Sequence, residues 1–127
     1  MSAAGSCESQ TLGEAGLADA TTVLLAFDAR PLDMVNVERA VSQLETSFNA
    51  LDAYGVANKD KRDPWATAMV PALRAFLEAA RALSGKGADQ VGPAGITHLI
   101  TLWDPVQKQS YSALQRRSNE GAPASAR

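Results

Sequence analysis

The chain is poor in the residues that most catalytic and metal sites are built from. It has one cysteine, Cys7, and one histidine, His98. A single cysteine excludes an intrachain disulfide, and with a single histidine none of the usual zinc spacings can be drawn. No Glu-x-x-His occurs, so the carboxylate and imidazole set of a di-iron bundle cannot be assembled. "GKGADQVGPAG" has neither P-loop spacing nor a strand ahead of it. No apolar run approaches the ~18–20 residues needed to span a bilayer. "MSAAGSCESQ" lacks the basic start and apolar stretch of a secretory signal, and no hydrophobic segment precedes "AAGSC" to make it a lipoprotein site. The expected location is the cytoplasm, with signal-less export still open. Aromatics are scarce at 6%, whereas small residues are abundant, so close helix packing is the expected way to fill the interior.

What is present is helical periodicity. At 127 residues, with 46% hydrophobic and 20% charged, the chain suits one globular domain. A first segment opens at Thr11, with Glu14 at capping-box spacing, and Leu17, Ala20, Leu24 and Phe27 follow at intervals of three and four. After Pro31 and Asp33, a second carries Met34, Val37, Val41, Leu44, Phe48 and Leu51 within about 100° of the helix circumference. Gly55 is its expected C-terminal cap. "VANKDKRD" reads as a solvated loop. Asp63 and Pro64 then combine a capping carboxylate with a proline at the first helical position. Trp65, Met69, Leu73, Phe76, Ala80 and Leu83 share one face of the third segment, while Pro71 projects on the solvent side with Arg74 and Glu78.

The fourth segment contains "GITHLITLWDP". As a strand it has two mixed faces. As a helix it places Ile96, Leu99, Ile100, Leu102 and Trp103 on one side and Thr97, His98 and Thr101 on the other, a far better separation. Val106, Ala113 and Leu114 keep the phase past Pro105, which favours one kinked helix to about Arg117 over a new helix capped by Asp104.

The predicted fold is all-α: an antiparallel up-down-up-down four-helix bundle with helices three and four kinked at Pro71 and Pro105. Its domain covers residues 11–118, between a flexible leader at 1–10 and a flexible tail at 119–127. The predicted core draws Leu24 and Phe27 from helix one and Val37, Val41, Leu44, Phe48 and Leu51 from helix two. Trp65, Met69, Leu73 and Phe76 come from helix three, and Leu99 and Trp103 from helix four.

Charge is unevenly placed. Residues 1–55 carry eight acids against two bases, or −6, and the remainder carries ten bases against six acids, or +4. The two halves are expected to pack on each other or on copies of each other. Glu38, Glu45 and Asp52 recur every seven residues, more than ~10 Å apart along the axis, too far to share one ion. They read as flank charges that pair with a neighbouring helix. Arg74, Glu78 and Arg81 read as an intrahelical pair network. Lys59, Lys61 and Arg62 interleave with Asp60 and Asp63 and have no aromatic beside them, which argues against nucleic acid. With Arg116 and Arg117 these charged groups form the candidate interaction surface.

His98 has no carboxylate at i±3 or i±4 to tune it and no second metal ligand. A solvent-facing histidine on a bundle helix resembles histidine phosphotransfer domains. Ile100 matches the hydrophobic position two residues on, while Thr101 and Leu102 stand where that family has lysine and glycine. The resemblance implies His98 as a conditional phospho-acceptor.

With no catalytic set, no cofactor and no metal site, the expected function is a non-catalytic interaction protein that binds another protein or itself, as a homodimer. Regulator, chaperone or adaptor, immunity partner and bacterial or phage-like assembly component share this signature. The alternatives are a phosphotransfer-like signalling bundle using His98 and a small apolar-ligand-binding bundle opened by the two prolines.

Overall fold

The computed structural model describes residues 2–61 and 63–121, and side chains from Ser9 to Gln109 apart from 61, 62, 64 and 65. Among the described residues there are four α-helices and no strand: α1 (Ser2–Asp28), α2 (Met34–Ala57), α3 (Pro64–Ser84) and α4 (Pro93–Gly121). One 3-10 turn, Lys59–Lys61, separates α2 from α3.

The boundaries follow capping chemistry. Asp33 accepts a hydrogen bond from the Val35 N–H at 3.0 Å and opens α2. Asp63 opens α3, its Oδ1 3.4 Å from the Ala66 N–H, with Pro64 as the first helical residue. At the C-terminus of α1, Arg30 Nη1 donates to the carbonyls of Phe27 and Ala29 at 2.9 and 2.8 Å, satisfying groups the helix leaves open. In the connection to α4, Gly87 accepts from the N–H of Gln90 and of Val91.

Several sequence-based boundaries are corrected. α1 begins at Ser2, so Thr11 and Glu14 lie inside a helix, and the backbone expected to form a flexible leader is helical up to them. Gly55 is not a cap. It lies inside α2 on the side facing α3, where a Cβ would make ordinary contact with Ala66 Cβ at 3.6 Å. The cap is Asn58, which donates through both its backbone N–H and its side-chain Nδ2 to the Tyr54 carbonyl. α4 is one helix through Pro105 that reaches Gly121, into the segment expected to be tail. Asp104 pairs with Lys108 at 3.0 Å within it instead of starting a new helix.

The core lies between all four helices, with α1 touching each of the others. The fully buried larger side chains are Phe27, Phe76, Leu44, Leu51, Met69, Leu73, Leu99, Val23, Val37 and Val106. Phe48 and Val41 are also buried, whereas Met34, Leu24 and Trp103 are only partly so. The Trp103 ring meets Phe76 edge-on, centroids 6.0 Å apart. On α1 the buried line is Ser9, Gly13, Gly16, Ala20, Val23 and Phe27, displaced from the expected Leu17 and Leu24. These small residues bring α1 close to its neighbours: a Cβ on Gly16 would stand 2.7 Å from Leu73 Cδ1. Gly95 does the same for α4, where a Cβ would lie 2.5 Å from Leu83 Cδ2. Ile100, expected on the apolar side, is 54% exposed. The side chains of Trp65, Ala113 and Leu114 lie outside the described residues.

Candidate functional site

His98 is exposed on α4, with Thr97 and Thr101 exposed beside it, as the polar sector of that helix requires. The Thr101 hydroxyl turns back to the Thr97 carbonyl at 2.9 Å. Nothing among the described residues hydrogen-bonds the imidazole, which is open to solvent. Among the described residues no three His, Cys, Asp or Glu side chains converge as a metal site.

The acidic flank of α2 has a different fate. Asp52 Oδ1 accepts from Arg74 Nη2 of α3 at 3.1 Å, and Glu45 pairs with Arg81, also of α3. Arg74 and Arg81 therefore bridge helices instead of forming the intrahelical network expected with Glu78. The reason is spacing: acids seven apart on α2 meet bases seven apart on α3. The Arg74 guanidinium also lies 5.6 Å from the Phe48 ring centroid. Part of the −6 and +4 imbalance is thus satisfied between α2 and α3. Glu38 and Lys59 are exposed. The side chains of Lys61, Arg62, Arg116 and Arg117, the rest of the candidate surface, lie outside the described residues.

A third interhelical polar contact, between α1 and α2, has no counterpart in the sequence-based expectations. The Ser47 hydroxyl of α2 donates to the Asp19 carboxylate of α1, both half-buried. The only hint in the sequence is that each residue neighbours an apolar stripe.

Among the described residues, two grooves on the surface bear on binding. One, of about 470 Å³, runs between α1 and α2. Thr22, Leu25, Ala26 and Ala29 line one wall, and Asn36, Arg39, Ala40 and Gln43 the other, each set at i, i+3, i+4, i+7. The other, of about 510 Å³, lies between the end of α2 and the start of α3 and includes Gly55, Val56, Val70 and Pro71. Leu25 and Val56 are 65% and 68% exposed, so each groove carries a solvent-facing apolar side chain. No described helix is long and apolar enough to cross a membrane. No family model matches the chain, and neither a curated protein nor a solved structure matches it.

Proposed function

We propose that this chain is a non-catalytic interaction protein, an up-down-up-down four-helix bundle bent at Pro71 and Pro105, which acts by associating with itself or with another protein. The topology is supported by contact register. Glu45 meets Arg81 and Asp52 meets Arg74, while Leu83 lies by Gly95 and Phe76 by Trp103, so in each helix pair one number rises as the other falls. A proline inside each of the last two helices removes one backbone bond, which is the usual origin of a bend.

The observation that carries the function is the α1–α2 groove. Its lining includes three small residues, Ala26, Ala29 and Ala40, and Leu25 on the same lining is exposed. A knob beside a shallow trough is self-complementary: in a two-fold dimer each Leu25 can seat in the partner's trough, so one patch is used twice. Because Glu45 and Asp52 have partners within the chain, such a homodimer rests on apolar contact and not on opposed charges. The test is light scattering at tens of micromolar in low and high salt. The expected outcome is a dimer that persists at 1 M salt, where screening confines charge contacts to about 3 Å, and that Leu25→Glu converts to monomer. A monomer in both conditions overturns self-association, and a dimer lost at high salt overturns the apolar interface.

A phosphotransfer role for His98 is the second reading. It is favoured by the exposure of the imidazole on the polar side of α4, and its test is an acid-labile label that His98→Gln abolishes.

A further inference from the structure

We infer that α4 is a displaceable strap, which leaves a closed α1–α2–α3 unit as one body and uncovers an apolar strip of α3. Helices α1, α2 and α3 pack pairwise on one another, whereas α4 packs on α3 and α1 and forms no packed pair with α2. The three therefore stay closed around a core without it. Burial is uneven across the α3–α4 contact. Leu83 by Gly95 and Phe76 by Trp103 set residues 93–109 of α4 opposite 69–84 of α3. Over that stretch α3 buries Met69, Leu73, Phe76, Leu77, Ala80 and Leu83, while α4 buries only Leu99 and Val106. Since stabilisation scales with apolar area removed from water, this part of α4 is held far less firmly than the helix it covers.

The start of α4 is also loosely tied. Asp33 and Asp63 cap α2 and α3 through their side chains. α4 starts after Gly92, whose carbonyl accepts from the N–H of Gly95 and of Ile96 but which has no side chain to cap with. No residue from 85 to 92 is buried, and Gly85, Gly87 and Gly92 leave that connection free to pivot. Off the bundle, an isolated helix of this kind is marginal in water. Pro105 weakens it further, because it offers no N–H to the Thr101 carbonyl. Release therefore unwinds α4 and opens its amides to solvent. The surface left behind is specific: Phe76, whose ring Trp103 meets edge-on at 6.0 Å, and Leu83, seven residues further on the same face of α3. The device lies between α3 and α4, so it does not depend on association through α1 and α2.

The test is native-state hydrogen exchange of the ¹⁵N-labelled full chain, read by NMR in urea below its unfolding transition. The amides of residues 97–109 should exchange through one shared opening, with protection at least about tenfold below that of the slowest α2 amides. Their urea dependence should be weaker, since release exposes less surface than global unfolding. Val41→Ala and Val106→Ala make the same truncation at buried positions of α2 and α4 and separate the two events. Val41 keeps its packing when α4 leaves, so Val41→Ala should speed α2 exchange about tenfold and leave α4 within about twofold. Val106 loses its packing in both events, so Val106→Ala should speed both about tenfold. If α4 shares the protection and urea dependence of α2, or responds to Val41→Ala as α2 does, it opens only with the whole molecule and the proposal is overturned. Amides of α4 that each open with a separate free energy overturn it too, since that is fraying and not release of one body.

Discussion

The guanidinium of Arg74 lies 5.6 Å from the centre of the Phe48 ring, so one α3 side chain covers a core aromatic of α2 while holding Asp52 at 3.1 Å. Phe48 is 7% exposed and Arg74 about half exposed. The two should differ sharply in energetic weight. Phe48→Ala should cost about 3–5 kcal/mol through lost burial and a cavity. Arg74→Ala should cost about 1 kcal/mol, since exposed cation–π contacts and surface ion pairs are each worth little. Glu45→Ala should stay within about 1 kcal/mol for the same reason. Urea denaturation measures all three. Equal midpoint shifts for Phe48→Ala and Glu45→Ala would refute this facing of α2.

Three helical glycines should respond to alanine with different signs. At Gly55 the new methyl would make ordinary contact with Ala66, so Gly55→Ala should gain up to about 1 kcal/mol from helix propensity. At Gly16 and Gly95 it would collide with Leu73 and Leu83, and overpacking of this kind costs about 1–3 kcal/mol, more than propensity returns. Thermal melts of the three variants read the order directly.

The Asp19–Ser47 bond predicts that Ser47→Ala destabilises the chain by about 1.5–3 kcal/mol, as for a hydrogen bond to a charged group. Ser42→Ala, at an exposed position of the same helix, should stay within about 0.5 kcal/mol. Similar losses for both would show that the α1–α2 contact contributes nothing.

His98→Gln should leave the melting temperature unchanged, because the imidazole is exposed and makes no hydrogen bond among the described residues. The expected shift is within about 0.5 kcal/mol. A loss above 2 kcal/mol would give His98 a structural role and remove the phosphotransfer reading, which needs a histidine the fold can spare.

Helices α2, α3 and α4 were legible in the amino-acid sequence because their determinants are local. The caps Asp33 and Asp63 act within three residues of themselves. The seam from Val37 to Leu51 repeats at the helical period, and all its members are buried. α1 was harder to read, since its buried line runs through Ser9, Gly13, Gly16 and Ala20, residues too small to mark a hydrophobic face. The leucines beside them carried the stronger signal and lie only partly inside.

The sequence by itself determined the all-helical class, most of the core and the exposure of His98, since periodicity and capping depend on residues a few positions apart. Only the tertiary structure decided which groups meet across helices. Arg74 chose Asp52, Arg81 chose Glu45, and Ser47 found Asp19. Gly55, equally suited by its sequence to a helix end, lies inside α2 against Ala66 of α3. Such pairings are set by how helices slide and rotate against one another, and that register comes from side-chain volumes on both partners together, so no single segment encodes it.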